Sequence, residues 1–254
     1  MTETLFDMFL PTDRITLHQN MLLLENGRET VMIDAGAGQT PDFGGKIFGP
    51  TTGWIADNLG RVGLDPAQID VILLTHLHPD HVWGLTGSDG APVYENARII
   101  VNEVDYGFWT DARRAEDPKF SKDALTFQGA IANLRPYRDR ISFVADGEEA
   151  LPGVVARAAA GHSPGQTMYD ITSRGQRLLH WADVAHHPLL LARPELGIVF
   201  DFDARMAVET RRRVLDWVAR ERIEVFACHF GFPGRGHVRP LGQGFDWVGK
   251  PIEL

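Results

Sequence analysis

The chain has 254 residues, 44% of them hydrophobic, with a net charge of −9 and a pI near 5.5. That is enough to build a sizeable core in one domain spanning residues 1–254, and the acidic balance argues against a nucleic-acid partner, whose phosphates want a basic face. The single cysteine, Cys228, excludes an internal disulfide, and no apolar run reaches the length of a membrane span.

The opening stretch, MTETLFDMFLPTDR, has no basic start followed by an apolar run, so it is not a secretory signal and a cytoplasmic protein is expected. Ile15 to Glu25 and Thr30 to Asp34 read as two strands joined at Asn26-Gly27, a hairpin signal. Asp34-Ala-Gly-Ala-Gly then breaks the strand, with glycines that permit positive φ and close backbone approach. Phe43 to Thr52 is glycine-rich. Thr52 to Val62 reads as a helix with Trp54, Ile55, Leu59 and Val62 on one face, stopped by Gly63.

Val71 to Thr75 is a short apolar run of buried-strand type. It leads into His76, His78, Asp80 and His81, and Pro79 marks the end of the strand, which puts these side chains on a loop. Three imidazoles and a carboxylate this close need a partner, and a divalent cation is the natural one. Ala97 to Val101 reads as a strand, Asn102 to Thr110 as a helix, Asp111 to Asp123 as an exposed excursion, and Ala124 to Leu134 as a helix.

Further strands are expected at Ile141 to Val144, Gly153 to Ala160, Tyr169 to Thr172, Leu178 to Trp181 and Val225 to Cys228. Ala204 to Glu221 is the clearest helix. Met206, Thr210, Val214, Trp217 and Val218 share a face, and its arginines read as a solvated one. Single polar residues follow three of the strands: His162, Asp183 and His229. Cys228 reads as an inert core residue, facing away from the site because its neighbour His229 faces it. His18, His180, His187 and His237 are taken as non-ligands.

The H-x-H-x-D-H run after an apolar strand, with the later His162, Asp183 and His229 in order, resembles the metallo-β-lactamase superfamily. That resemblance implies an α/β fold of four layers, an αββα sandwich with two mixed sheets face to face and helices outside. It also implies two divalent cations per chain. His76, His78 and His162 would hold one, Asp80, His81 and His229 the other, and Asp183 would bridge them. Imidazole and carboxylate suit Zn²⁺ first, with Mn²⁺, Fe or Co²⁺ open.

Phe48-Gly-Pro, Glu103-Val-Asp-Tyr-Gly-Phe-Trp, Gly161-His-Ser-Pro-Gly, Phe200-Asp-Phe-Asp and Phe232-Pro-Gly-Arg-Gly-His are similar to the branch containing methyl parathion hydrolase, over roughly residues 12–248. Homoserine lactonases are close cousins. On that likeness Phe48, Trp109 and Phe127 would line an aromatic pocket over the metals; core packing is the other reading of all three, of Phe127 on its helix above all. The implied activity is hydrolysis of a small apolar ester, lactone or phosphotriester by a metal-bridging hydroxide. Asp80 would serve as proton carrier. A mono-iron persulfide dioxygenase and an acyl-homoserine lactonase are the alternatives.

Three positions depart from the pattern. Gln166 stands where relatives have a second histidine, and Gly231 where they often have proline. His186 stands where the lactonase cousins have a tyrosine that binds the substrate carbonyl. His186 either faces the metals as a catalytic hydrogen-bond donor or points to solvent or to a carboxylate. On that resemblance the strand pair that commonly precedes the segment resembling Pro11 to Asp34 is expected to be missing. The open edge is expected to be covered by Met1 to Leu10 or by another chain, which makes a homodimer one expected assembly. No membrane or nucleic-acid partner is expected.

Overall fold

The computed structural model describes residues 2–39 and 47–251. Met1 and residues 43–46 of the expected glycine-rich stretch lie outside them. Twelve strands form two mixed sheets among the described residues. The first contains β1 (Leu22–Glu25), β2 (Thr30–Ile33), β3 (Val71–Leu73), β4 (Arg98–Val101) and β5 (Ile141–Phe143), in that order. The second contains β6 (Glu149–Leu151), β7 (Val154–Ala158), β8 (Thr167–Ser173), β9 (Gln176–His180), β10 (Glu224–Phe226), β11 (Arg235–Leu241) and β12 (Gly244–Gly249), in the order β12-β11-β10-β9-β8-β7-β6.

Strands β2 to β5 are parallel, as are β9 and β10, and the remaining pairs are antiparallel. The central strands are apolar on both faces because both faces are covered. Val31, Ile33, Val71, Leu73 and Ile100 meet Val154, Ala156, Tyr169 and Ile171 between the sheets. Met32, Ile72, Ile99 and Val101 face the other way, into a layer containing Phe127, Ala130 and Leu134.

Helices among the described residues include α1 (Thr2–Asp7), α2 (Ile55–Arg61), α3 (Pro79–Val82), α4 (Glu103–Trp109), α5 (Ala112–Ala115), α6 (Ala124–Leu134), α7 (Leu189–Ala192) and α8 (Ala204–Glu221). Helix α6 covers the first sheet. Helix α8 covers the second through Val214, Leu215 and Val218, which pack with Leu179 and Val225. This is the four-layer αββα arrangement. Among the described residues no helix is long and apolar enough to cross a membrane.

Several expectations need correction. Only Leu22–Glu25 of the long first strand pairs with β2; His18 and Asn20 instead donate their backbone N–H groups to His229 and Cys228 carbonyls. Asp80 and His81 sit in helix α3, because proline at the first helical position starts a helix as readily as it stops a strand. The Asp111 to Asp123 excursion is partly folded back, with Phe120 packed on Phe108 and Phe127. Arg211 on α8 is fully buried, and Met206 is 42% exposed.

Residues 2–10 do not cover the edge of β1. Helix α1 lies against α7, with Leu5 buried and Phe9 98% exposed, and the outer side of β1 pairs with no strand among the described residues.

Candidate metal centre

Strands β3, β7, β9 and β10 aim their C-terminal ends at one edge of the sandwich. His76, His162, Asp183 and His229 follow β3, β7, β9 and β10 there. Chain ends of this kind leave loop side chains free to converge.

Two sets of three form. In the first, His76, His78 and His162 bring their ligand atoms within 4.8 Å of one another, with His78 Nδ1 2.7 Å from His162 Nε2. In the second, Asp80 Oδ1 lies 3.8 Å from His81 Nε2 and Asp80 Oδ2 lies 3.5 Å from His229 Nε2. Asp183 stands between them. Its Oδ2 is 3.8 Å from His76 Nε2, 3.3 Å from His162 Nε2 and 3.4 Å from His81 Nε2, and its Oδ1 is 3.2 Å from His229 Nε2.

His76 Nε2 and His81 Nε2 are buried with no hydrogen-bond partner, although both point into the cluster. Orphaned imidazole nitrogens around one carboxylate fit divalent cations, which such a donor set can hold. Burial drives the His76 and His78 pKa values well below the usual value, helped by neighbouring imidazoles. Burial also opposes charging His81 and His229, but Asp183 outweighs it and raises both. Burial would raise Asp183 as well; His229, His81 and His186 overcome that and hold it ionised.

Residues 14–216 match the sequence profile of the Metallo-beta-lactamase superfamily. The chain belongs to that superfamily. A ribonuclease of Thermus thermophilus is 31% identical over 174 residues, covering 65% of this chain and 34% of its own. An N-acyl homoserine lactonase of a Bacillus species is 28% identical over 178 residues, covering 69% of this chain and 61% of its own. The chain therefore spans about a third and three-fifths of those two relatives. Among solved structures, the hydrolase AbOPH superposes with a TM-score of 0.89 at 30% identity, covering 100% of this chain and 87% of that one. AidC, a dizinc quorum-quenching lactonase, gives 0.88 at 24%, a likeness of fold, over 100% and 86%.

In this superfamily member, partners behind the cluster fix each ring. Asp34 Oδ2 lies 2.8 Å from His81 Nδ1, and its carboxylate also accepts from the Thr75 N–H and hydroxyl. Asp34 has φ 63, and its turn closes on the chain after His81. Gly84 is required there, because a Cβ would lie 2.0 Å from the Ala35 carbonyl oxygen. Asp201 Oδ1 lies 3.0 Å from His162 Nδ1, and the His18 carbonyl lies 2.7 Å from His229 Nδ1. Such contacts set ring orientation and tautomer. The sequence reading missed Asp201 and the His18 carbonyl; Asp201 lies in the quoted Phe200-Asp-Phe-Asp, where it had no role.

His186 lies inside the cluster. Its Nε2 is 2.9 Å from Asp183 Oδ2, its ring stacks on His229 at 5.3 Å, and its Nδ1 is buried without a partner. Burial lowers its pKa to about 4, so it is neutral at pH 7 rather than titrating near its ordinary value. Cys228 does not face away. Its Sγ is 3.5 Å from Asp183 Oδ1, because β10 ends at Phe226 and a turn from Ala227 to Phe230 replaces strand alternation.

Of the three aromatic residues expected over the metals, Trp109 is buried with its ring 5.3 Å from that of His78. Phe48 is half-buried, edge-on to Trp83 at 6.3 Å. Phe127 is fully buried among Phe108, Trp109 and Phe120, which places it in the core. His180 is buried with Nδ1 accepting from Ala182 N–H, His187 Nδ1 accepts from Leu189 N–H, and His237 is exposed on β11. Gln166 is buried and donates to the Ala159 carbonyl.

Proposed function

We propose that the chain hydrolyses small esters, lactones or phosphotriesters with two divalent cations, Zn²⁺ the first choice. The observation that carries this is Asp183, whose carboxylate stands between the two three-residue sets and contacts both: Oδ2 lies 3.3 Å from His162 Nε2 and 3.4 Å from His81 Nε2, and Oδ1 3.2 Å from His229 Nε2. His76, His78 and His162 would hold one ion, Asp80, His81 and His229 the other. When bound, such ions polarise a substrate oxygen and lower the pKa of a water.

The chain's own residues supply the rest. The Asp80 side chain is 20% exposed, against 1–3% for its partners His81 and His229. Its carboxylate meets solvent and suits proton transfer from water to the leaving oxygen. Neutral His186 has a single N–H, which Nε2 gives to Asp183, so the buried Nδ1 is left as an acceptor for a proton or hydroxyl of the reacting molecule. Trp109 packs against His78 and keeps water from that side. The lactonase and hydrolase relatives support an ester-like substrate. The net charge of −9 argues against a polyanion such as RNA.

The test is a panel of aryl esters, lactones, phosphotriesters and β-lactams, assayed on protein of measured metal content. Turnover of at least one ester-like class is expected to rise with metal content and vanish on chelation. A single iron per chain with oxygen uptake would overturn the reading in favour of a dioxygenase.

A further inference from the structure

Asp34, Asp201 and the His18 carbonyl each brace one imidazole. A further carboxylate braces backbone instead. Asp105, in the first turn of α4, is fully buried and forms no ion pair with a cation among the described residues. Its Oδ2 accepts from the N–H of Leu77 at 2.8 Å, and Leu77 is the residue between His76 and His78. Its Oδ1 accepts from the Gly165 N–H at 2.8 Å and from the Ser163 hydroxyl, directly after His162. Trp109 Nε1 in turn donates to Ser163 Oγ at 2.8 Å.

The approach is built in. A Cβ on Gly165 would lie 2.4 Å from the Asp105 nitrogen and 2.7 Å from Asn102 Oδ1, so only glycine lets α4 start this close. Burying a carboxylate without a cation is unfavourable, and three donors offset part of that. Asp105 thus ties together the two chain segments, 84 residues apart, that carry His78 and His162. It makes no hydrogen bond to the segments carrying Asp183 and His229.

We propose that Asp105 is a positioning residue that sets the spacing of His76, His78 and His162, and so the affinity of that site separately from the Asp80, His81 and His229 site. This rests on the two-ion reading above. An amide at this position keeps one oxygen acceptor and turns an N–H₂ toward a donor. D105N therefore breaks at least one of the three bonds, whereas S163A removes one and keeps the carboxylate.

The test is stepwise Zn²⁺ binding in competition with a chromophoric chelator, on unmodified protein, D105N and S163A. Unmodified protein is expected to take up two ions. D105N should weaken one step by about 10- to 100-fold and leave the other unchanged, with S163A between. In an H229A background, which removes the second site, D105N should weaken the remaining step. Two unchanged steps in D105N, or equal loss of both, would overturn the inference alone. If D105N fails to fold, unchanged binding by S163A overturns it. A single ion in the unmodified chain would overturn the two-ion reading and this inference with it.

Discussion

His186 and His229 lie with their rings stacked, 5.3 Å apart and 8° from parallel, and both direct Nε2 at Asp183. Where the lactonase resemblance implies a phenol, an imidazole points into the cluster. His186→Ala should lower kcat about ten-fold, the scale of ~1.4 kcal/mol, with metal content unchanged. Steady-state kinetics across the ester panel checks this. Unaltered rates would remove His186 from the chemistry.

Asp183 touches both three-residue sets, so its loss should be felt by both. Asp183→Ala should lower bound metal below two per chain and lower activity more than folded yield. Elemental analysis beside circular dichroism separates these outcomes. Equal loss of activity and fold would make Asp183 structural.

Arg211 donates from Nε to the Val184 carbonyl at 2.8 Å and from Nη1 to the Leu196 carbonyl, and its guanidinium is 3.9 Å from Asp201. Removing it leaves the Val184 and Leu196 carbonyls without this donor and takes away the cation beside Asp201, which keeps its contacts with His162 and the Ile198 N–H. Arg211→Met should cost about 3 kcal/mol in urea unfolding. Arg212→Met, on the exposed face of the same helix, should stay within about 0.5 kcal/mol of the unmodified chain.

Asp170 on β8 accepts from Arg177 Nε and Nη2, both at 2.8 Å. Burial would raise its pKa, but the bonds and charge of Arg177, then Arg157, outweigh that and hold it below the ordinary value. A carboxyl so depressed stabilises the fold above about pH 4, and the stabilisation is lost as pH falls through the folded pKa. Asp170→Asn should cost about 1 kcal/mol at pH 7, limited by screening at half-exposed Arg177. Thermal melts should show the gap closing toward pH 3; a gap constant with pH would contradict the assignment.

The sandwich was legible where covering is two-sided. Runs such as Val71–Leu73 are apolar throughout because helices and the other sheet bury both faces. The cluster was legible because its residue types are costly without a cation. The hairpin of β11 and β12 was not, since β11 reads Arg-Gly-His-Val-Arg-Pro-Leu, with only Gly236 and Val238 buried. Arg211 and Asp105 were not legible either. Their partners are backbone groups on distant loops, which a sequence does not display. The turn at Ala227 misled the reading of Cys228 in the same way.

The candidate ligands are drawn from both sheets: His76 to His81 follow β3 of the first, and His162, Asp183 and His229 follow strands of the second. An ion held there is also a rivet between the two halves of the sandwich. It closes chain loops of 84 residues from His78 to His162 and 46 from Asp183 to His229. Halves that have not docked cannot offer the site, so capture of the metal belongs to the end of folding. Stripping the metal should then hasten unfolding far more than it slows refolding. The shelf life of the protein would be set by its metal supply.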